Sequence, residues 1–316
     1  MRKVAIATAS HQKLVCREAR QMLEDAGFYL ECNNTGRRLS REEQKELIKD
    51  ADAIIAGTEN YDAEMLEGCE KLRAIIRFGV GVDNFDLDAM RQKDIAVGVI
   101  ANDNAVAEFA VTLMLGVLKQ LPLQERAVRE GRWERFPCRE LAGKTVGLLG
   151  FGRIGRRVAE LLSGFRVRIL VYDPFLDEQA ARERRVEAVT FEEVLRQADI
   201  LSLHLPYTEH THHLIDAQAL EIMKDGAYLI NTARGALVDE QALTRALQMG
   251  KLSGAGVDVY EKEPITKENP LMNVHNTVLS PHVSALTYET NYHGGLICAK
   301  SIIQVFEGGH PLYPLQ

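Results

Sequence analysis

Short runs of apolar residues recur along the chain, and between them lie stretches whose apolar positions repeat every three or four residues. A short continuous apolar run is typical of a strand buried on both faces of a sheet, whereas the longer repeat is typical of a helix with one buried face. In the first hundred residues the strand candidates are KVAIAT, ADAIIAG, LRAIIRF and DIAVGVI, separated by helical stretches such as LVCREARQMLEDAG. This alternation predicts a parallel sheet covered by helices on both faces.

The alternation starts again after a long apolar helix predicted at about 104–121. The second series of strand candidates is KTVGLLG, VRILVYD, DILSLHLP, GAYLINT and GAGVDV. Two successive series predict an α/β protein with two doubly wound parallel-sheet domains. A last helix, predicted at roughly 286–307, follows the second series, and the sequence permits it to fold back onto the first domain.

Composition narrows the classes of function. The 316 residues suffice for two domains, and a net charge of −7 without any Lys/Arg run argues against a nucleic-acid-binding arm. Anionic ligands must therefore meet local arginines or backbone amides. The N-terminal MRKVAIATAS is too short in its apolar part for a signal peptide, so we interpret it as the first strand. Glu108 and Lys119 interrupt the most apolar segment, which predicts a buried helix and no membrane span.

Neither the cysteines nor the histidines are spaced like metal ligands. The five cysteines are scattered and include no C-x-x-C pair, so we interpret them as small buried hydrophobic residues in a reducing, cytoplasmic compartment: Cys16, Cys32, Cys69, Cys138 and Cys298. In TEHTHHLI the spacing of His210, His212 and His213 fits no common zinc pattern and favours a solvent-exposed loop. His204, inside LSLHLP, is interpreted as a core histidine, and no metal site is predicted.

The stretch KTVGLLGFGRIGRRVAELL contains Gly150, Gly152 and Gly155 in the order G-x-G-x-x-G, directly after a predicted strand and at the start of a predicted helix. In this context the glycines allow a tight turn, a close approach of the backbone to a pyrophosphate and close packing of helix on strand. Asp173 ends the next strand 18 residues after Gly155. An acid at this place accepts hydrogen bonds from a ribose and repels a 2′-phosphate, which predicts NAD as the cofactor.

Three polar side chains follow strand ends of the second series: Arg234 in NTARG, Glu263 in DVYEKEP and His282 in SPHVSA. Each has an ordinary structural alternative. An arginine after a strand commonly pairs with a neighbouring acid, a Pro-His pair often shapes a turn, and a glutamate before a proline is often an ordinary loop charge. Hydride transfer to a 2-oxo acid, however, needs a guanidinium for the carboxylate, an acid for the carbonyl oxygen and a carboxylate to orient that acid. Together with the nucleotide motif, the three residues favour this chemistry.

These motifs, with RFGVGVDNFDLDA, VYDP, LINTARGALVDEQAL and GVDVYEKEP, give the chain a resemblance to the D-isomer-specific 2-hydroxyacid dehydrogenases, in their phosphoglycerate dehydrogenase-like branch. The resemblance covers essentially the whole chain. It implies that Arg234, Glu263 and His282 are catalytic and that Asp258 holds the nicotinamide carboxamide. It implies further cofactor contacts at Arg153, Ile154, Asp173, Leu205, Pro206, Thr211, Thr232 and Ala233.

The family's organisation supplies further expectations. It implies a discontinuous outer, substrate-binding domain at 1–101 and 284–316, an NAD-binding domain at 102–283, and a homodimer formed through the cofactor domain. The family also has a second anion site in the outer domain. FGVGVD fits it, because Gly79, Val80 and Gly81 can present consecutive backbone amides and Arg77 adds charge.

The resemblance leaves the substrate open. Phosphoglycerate enzymes place an arginine near the end of the third outer strand, where this chain has Gly57, and many continue into a C-terminal regulatory domain, whereas this sequence ends at Gln316. Arg77 and Arg135 are the alternative phosphate partners, so phosphohydroxypyruvate and an unphosphorylated 2-oxo acid both stay open. Glu263 weighs against a formate dehydrogenase-like enzyme, which has glutamine beside the histidine. The rival interpretation is an NADH-sensing corepressor on the same fold, whose disordered tails and peptide-binding cleft the sequence does not show.

Overall fold

The computed structural model describes residues 1–7, 16–37, 39–100 and 103–315. Thr8 of the first predicted strand, the start of the first predicted helix and the predicted domain boundary at 101/102 lie outside these residues. The chain divides into two compact units, one formed by Met1–Asn102 with Ala285–Gln316 and the other by Asp103–Ser284. We call them the outer unit and the cofactor unit.

The outer unit contains a parallel sheet whose order, within the described residues, is β2-β1-β3-β4-β5. Its last helix, α11, packs against α1 and β4 inside this unit. The elements are β1 (Arg2–Ile6), α1 (Arg17–Asp25), β2 (Phe28–Cys32), α2 (Arg41–Ile48), β3 (Ala53–Ala56), β4 (Ala74–Arg77), α3 (Leu87–Gln92), β5 (Ala96–Val99) and α11 (Tyr288–Phe306).

The cofactor unit contains a second parallel sheet, with the order β12-β11-β10-β9-β6-β7-β8 across the residues described. Its strands are β6 (Thr145–Leu149), β7 (Arg168–Tyr172), β8 (Glu187–Ala188), β9 (Ile200–Leu203), β10 (Ala227–Asn231), β11 (Leu252–Val257) and β12 (Thr277–Leu279). Its helices are α4 (Asp103–Leu118), α5 (Leu121–Arg129), α6 (Arg153–Leu162), α7 (Glu178–Glu183), α8 (Phe191–Gln197), α9 (Ala217–Ile222) and α10 (Glu240–Gln248).

Each sheet separates two apolar cores, which explains the continuous apolar runs. In β4, Ile75 packs into one core and Ile76 into the other, and in β6 the neighbours Leu148 and Leu149 likewise face opposite cores. Alternate side chains of a strand point to opposite faces, so a strand covered on both sides is apolar at every position. The predicted fold class, two doubly wound parallel-sheet domains, is confirmed.

Three strands escaped prediction: β2, β8 and β12 are edge strands of their sheets. In β2, only Phe28 of the five residues is fully buried, and β8 is two exposed residues long. An edge strand has one hydrogen-bonded neighbour and a partly solvated surface, so it needs no continuous apolar run. The pattern therefore predicts the central strands and the apolar edge strand β5, and it misses the other three edge strands.

The helix predicted at about 104–121 ends earlier, at Leu118. Gln120 adopts a left-handed conformation with φ of 49°, and α5 begins immediately afterwards with a proline in its first turn. Within the described residues, no single helix is long and apolar enough to cross a membrane; α4 and α5 satisfy that test only as a pair, bent by 63°.

The prediction that all five cysteines are buried is wrong for Cys138, which is exposed. It lies in an irregular segment between α5 and β6, where its Sγ faces the Lys119 carbonyl oxygen at 3.0 Å. Cys16 and Cys32 are half-buried, and Cys69 and Cys298 are buried as expected.

Candidate active site

The carboxyl ends of β6, β9, β10 and β11 lie along one edge of the cofactor unit's sheet, because these strands are parallel neighbours. The strand order reverses direction between β9 and β6, and ligands of doubly wound sheets bind at such a reversal. The segments that carry the predicted cofactor and catalytic residues follow these strand ends.

The glycine motif forms the turn at 150–155, here called the cofactor turn, which joins β6 to α6. Gly150 has φ of +96°, a conformation that side chains strongly disfavour. A Cβ at Gly155 would lie 2.3 Å from the Gly150 carbonyl oxygen, whereas a Cβ at Gly152 would meet nothing within 4 Å. The first and third glycines are thus required by the fold, and the middle one leaves open space at the start of α6, where backbone amides favour an anion.

Asp173, which directly follows β7, holds the cofactor turn. One carboxylate oxygen accepts the Phe151 amide at 2.7 Å, and the other accepts the Phe175 amide at 2.8 Å. Each oxygen retains a lone pair. The negative charge therefore stands beside the turn, in the position expected of a ribose acceptor.

Thr232, at the end of β10, provides an independent sign of a ligand. Its side-chain oxygen is buried and, among the described residues, has no hydrogen-bond partner. A buried hydroxyl without a partner is uncommon and costs about 1–3 kcal/mol unless a ligand or water satisfies it. The open space at Gly152, the acid at Asp173 and this hydroxyl together fit a dinucleotide such as NAD.

The remaining predicted cofactor residues make contacts within the protein that do not by themselves indicate a ligand. Arg153 begins α6 and forms an ion pair with Asp103 at 2.9 Å, while Ile154 packs against the core. Leu205 is buried directly after β9. The Thr211 hydroxyl donates to the Pro206 carbonyl oxygen at 3.0 Å, so it closes the loop that follows Leu205.

Arg234 lies in a turn after β10 that Asn231 organises. The Asn231 side chain accepts the Ala233 amide at 3.0 Å and donates to the Arg234 carbonyl oxygen at 2.9 Å. The Arg234 guanidinium donates to the Ala233 carbonyl oxygen at 2.7 Å. Ala233 and Arg234 are therefore fixed in the backbone by a side chain that sequence reasoning overlooked.

Glu263 and His282 are in direct contact. The His282 Nδ1–H donates to the Glu263 Oε2 at 2.7 Å, which leaves Nε2 as the second ring nitrogen, and the other Glu263 oxygen accepts the Tyr260 amide at 3.1 Å. Burial acts to raise the pKa of Glu263. The hydrogen bond and charge of His282, the Tyr260 amide and the charge of Arg234 outweigh it and bring that pKa below its ordinary value. Contacts with His282 and the charge of Arg234 thus stabilise the ionised form of Glu263.

Asp258 is fully buried and organises the segment around His282. Its carboxylate accepts the Ser280 hydroxyl at 2.6 Å and the amides of Val283 and Ser284 at 2.9 Å. Its own carbonyl oxygen accepts the His282 amide at 2.8 Å, and His282 adopts a left-handed φ of 53°. The aspartate that the resemblance assigns to the cofactor therefore also holds the histidine's backbone.

In the outer unit, FGVGVD follows β4 and forms the turn at 78–83, here called the outer turn. Arg77 is buried, and its guanidinium donates to the carbonyl oxygens of Phe78 and Gly81, each at 3.1 Å. The backbone amides of Gly79, Val80 and Gly81 have no acceptor in the described part of the chain. Neither glycine is left-handed. Arg77, at the end of β4, holds the turn through these two carbonyl oxygens, and the amides remain available to an anion.

The other residues considered in the sequence, Arg135 and the remaining histidines, make contacts of their own. Arg135 is exposed and lies 5.9 Å from the ring of Trp133. His212 and His213 stack on each other, and His213 lies 3.2 Å from the Glu261 carboxylate. His204 accepts or donates a bond with Ser202 at 3.0 Å, and burial lowers its pKa to about 4. Within the described residues, no group of three or more His, Cys, Asp or Glu side chains is arranged for a metal ion.

Comparison with known proteins agrees with this geometry. A profile of the family "D-isomer specific 2-hydroxyacid dehydrogenase, NAD binding domain" matches residues 111–284. The chain is 39% identical over 275 residues to D-3-phosphoglycerate dehydrogenase of Archaeoglobus fulgidus, covering 85% of this chain and 52% of that protein. It thus spans about half the length of the phosphoglycerate dehydrogenases that it matches.

Two glyoxylate reductases are similar over most of their length. The enzyme of Korarchaeum cryptofilum is 38% identical over 277 residues, which is 84% of this chain and 83% of that one. The crystal structure of a glyoxylate reductase from Paecilomyes thermophila superposes with a TM-score of 0.89 at 32% identity, covering 99% of this chain and 98% of that one. The relatives thus differ in the substrate that their names give.

Proposed function

Since the chain belongs to the family of D-isomer-specific 2-hydroxyacid dehydrogenases, we propose that it transfers a hydride between NAD(H) and a small 2-oxo acid, giving the D-2-hydroxy acid. The observation that carries this proposal is the contact of 2.7 Å between His282 and Glu263, within reach of the charge of Arg234. A guanidinium, an imidazole and a carboxylate are the groups that this reduction requires.

Each side chain has a defined part in the reduction. Arg234 binds the substrate carboxylate and polarises the neighbouring carbonyl, because its planar fork matches a carboxylate. Glu263 holds the Nδ1–H of His282, so Nε2 is the nitrogen that delivers a proton to the carbonyl oxygen. NADH, when bound, supplies the hydride for the carbonyl carbon. In the reverse direction the neutral His282 removes the hydroxyl proton of the 2-hydroxy acid.

The cofactor unit holds NAD through backbone amides and through side chains at the carboxyl ends of its strands. The cofactor turn gives the pyrophosphate the amides at the start of α6, with Arg153 and Ile154 at its end. Asp173 accepts the ribose hydroxyls, and the unpartnered Thr232 hydroxyl satisfies a polar group of the cofactor. The remaining proposed contacts come from the loops at the same sheet edge: Leu205, Pro206, Thr211, Ala233 and Asp258.

The outer unit binds substrate through the outer turn, whose amides take an anionic group. We propose an unphosphorylated 2-oxo acid, because the end of β3 is unsuited to a phosphate. There the Gly57 amide already donates to the Glu59 carboxylate at 3.0 Å, and Glu59 is buried. A carboxylate at this place repels a phosphate dianion. Phosphohydroxypyruvate is the second candidate, since relatives at 39% identity are named for phosphoglycerate.

We also propose that two copies associate through their cofactor units in the cytoplasm. Leu121 and Val128 of α5 are 59% and 64% exposed, and Trp133 beyond it is 82% exposed. Large apolar side chains so exposed in one region are typical of a protein–protein interface. Free cysteines suit a reducing compartment.

The deciding experiment measures NADH oxidation with glyoxylate, hydroxypyruvate, pyruvate, branched 2-oxo acids and phosphohydroxypyruvate. We expect turnover of an unphosphorylated acid, with kcat/KM reduced by roughly 100-fold or more in Arg234→Lys, because lysine lacks the bidentate fork. NADH affinity should be retained in that variant. Arg245→Lys, on the exposed face of α10, is the matched control and should match the parent.

Other outcomes assign other functions. A clear preference for phosphohydroxypyruvate would replace the proposed substrate class and keep the catalytic residues. Parent-like turnover in Arg234→Lys would refute the role of that arginine. Tight NADH binding without turnover of any 2-oxo acid would favour the corepressor-like sensor.

A further inference from the structure

The segments that follow β10 and β11 are tied together by a reciprocal pair of glutamates. The Glu261 amide donates to a Glu240 carboxylate oxygen at 2.8 Å, and the Glu240 amide donates to a Glu261 carboxylate oxygen at 3.0 Å. The same Glu261 oxygen lies 3.2 Å from the Nε2 of His213, in the loop after β9. One side-chain pair therefore joins the start of α10 to the loop after β11, beside the loop after β9.

Glu240 is buried to an unusual degree for a carboxylate, with 8% of the residue exposed. Its second oxygen accepts the Asn269 side chain at 2.7 Å, so both oxygens are occupied by groups of the segment that contains Glu263. Burial raises the pKa of Glu240, and the charges of Glu261 and Glu263 raise it further, against the bonds from the Glu261 amide and Asn269. Burial of a carboxylate is costly unless it is hydrogen-bonded, and both oxygens of Glu240 accept such bonds.

Gly235 shows how closely the two loops approach on the other side. A Cβ at this position would lie 1.9 Å from the Tyr260 carbonyl carbon and 2.4 Å from the Glu261 nitrogen. The turn that carries Arg234 thus rests against the backbone of 260–261, only two residues before Glu263. The loop after β11 is held from one side by this packing and from the other by Glu240.

We propose that Glu240 and Glu261 are positioning residues that set Glu263 in register with His282 and Arg234. The inference rests on the proposed function, since it concerns the geometry of the proposed catalytic pair. Neither glutamate touches substrate or cofactor in this scheme. Their effect passes through the backbone of 260–263, where the Tyr260 amide fixes one oxygen of Glu263 and leaves the other for His282.

The titratable and charged groups near Glu263 and the glutamate pair are His282, Arg234, Glu240, Glu261 and His213, with the buried Asp258 behind His282. Removing the Glu240 side chain frees the 260–263 backbone and lengthens the Glu263–His282 hydrogen bond. We expect kcat for 2-oxo acid reduction to fall roughly tenfold in Glu240→Ala, since small displacements of a catalytic group are costly. The alkaline limb of its pH profile should move to lower pH, because the imidazolium loses its carboxylate.

The test compares four variants with the parent. Glu240→Gln keeps an acceptor for the Glu261 amide and should stay near the parent, whereas Glu240→Ala should show the loss. Glu178→Ala is the matched control, because Glu178 also follows an aspartate cap at the start of a helix but is exposed and forms its ion pair with Arg182. Glu263→Gln gives the full displacement of the alkaline limb against which the others are measured.

A second readout does not depend on turnover. The hydrogen-bonded Nδ1–H proton of His282, identified by its absence in His282→Asn, is followed by proton NMR. It should weaken or shift in Glu240→Ala and remain in Glu178→Ala. If Glu240→Ala does not fold, Glu261→Ala at the exposed end of the pair decides, with the same expected change.

An unchanged NMR signal and an unmoved alkaline limb in both Glu240→Ala and Glu261→Ala would overturn the positioning role, even if kcat falls. If the parent turns over no 2-oxo acid, the proposed function fails, and the NMR signal still decides whether the glutamate pair holds Glu263 against His282.

Discussion

The two glycine-rich turns of this chain both follow buried parallel strands, but their glycines pack against different neighbours. In the cofactor turn Gly155 packs against backbone, since a Cβ there would lie 2.3 Å from the Gly150 carbonyl oxygen. In the outer turn Gly79 packs against a side chain, since a Cβ there would lie 3.1 Å from the Arg77 guanidinium carbon. A backbone cannot yield to an added methyl group, whereas the end of a side chain can move.

This difference separates two meanings of the same sequence signal. In both turns glycines follow an apolar run. In the cofactor turn Gly155 lies against backbone, whereas in the outer turn Gly79 lies against a side chain that can move to admit a methyl group. The element that determines the outer turn is Arg77, whose bonds to the Phe78 and Gly81 carbonyl oxygens shape it. The comparison predicts that the cofactor turn is sensitive at its glycines and the outer turn at its arginine.

The largest effect is expected for Gly155→Ala. The added methyl group forces α6 away from β6, which should destabilise the protein by about 4 kcal/mol and lower Tm by roughly 10 °C. NADH affinity should fall by roughly 100-fold, because the amides at the start of α6 leave their positions. Thermal unfolding and NADH fluorescence titration measure both changes.

Gly152→Ala separates packing from ligand binding at the same turn. Its Cβ meets no protein atom within 4 Å, so Tm should stay within about 2 °C of the parent while NADH affinity falls. Gly164→Ala, which also has free space, is the control for both quantities. Parent-like NADH affinity in Gly152→Ala would mean that no pyrophosphate approaches this glycine.

A smaller effect is expected for Arg77→Met in the outer turn. Methionine retains much of the apolar stem but leaves buried carbonyl oxygens without donors, which should cost about 3 kcal/mol of unfolding free energy. The KM for the 2-oxo acid should rise roughly tenfold as the turn loses its shape, because its amides no longer converge.

The NADH dissociation constant of Arg77→Met should change less than twofold, since the cofactor turn belongs to the other unit. Arg91→Met, on the exposed face of α3, controls for the loss of a charge. A KM equal to the parent's, in a variant that folds, would show that the outer turn takes no part in substrate binding.

The sequence predicted best where burial is complete on both sides. The central strands β3, β4, β6, β9, β10 and β11 are apolar at nearly every position, and all were recognised. The edge strand β2 mixes Phe28 with polar and exposed positions, and nothing in that pattern distinguishes it from a loop.

The candidate site divides in the same way. Arg234, Glu263 and His282 were named because their chemistry is unusual at strand ends, and the structure places Glu263 and His282 in contact. Asn231, Glu240 and Glu261 were missed because an asparagine in a turn and acids at a helix start or in a loop are ordinary there. Their importance lies in contacts between loops far apart in sequence, which no local pattern reports.

The smallest predicted effect is a difference between the two turns in how they make the free energy of unfolding depend on pH. His204 follows β9 beneath the cofactor turn, where a Cβ at Gly150 would lie 2.6 Å from its carbonyl oxygen. Burial lowers the pKa of His204 to about 4 from an ordinary 6.5. The native state therefore favours the neutral ring, and its contribution is complete above pH 6.5 and is lost as pH falls toward 4.

At pH 5 the full shift corresponds to about 2 kcal/mol, and partial access of the residue to solvent reduces this to about 1 kcal/mol. Replacing His204 with glutamine removes this component, so His204→Gln should lose about 1 kcal/mol less than the parent between pH 7 and pH 5 in urea unfolding. His275→Gln, at an exposed histidine of the same unit, should follow the parent. Arg77 keeps its charge throughout this range, so the outer turn should not share the loss. Equal acid sensitivity of His204→Gln and the parent would place the titrating group elsewhere and remove this distinction between the turns.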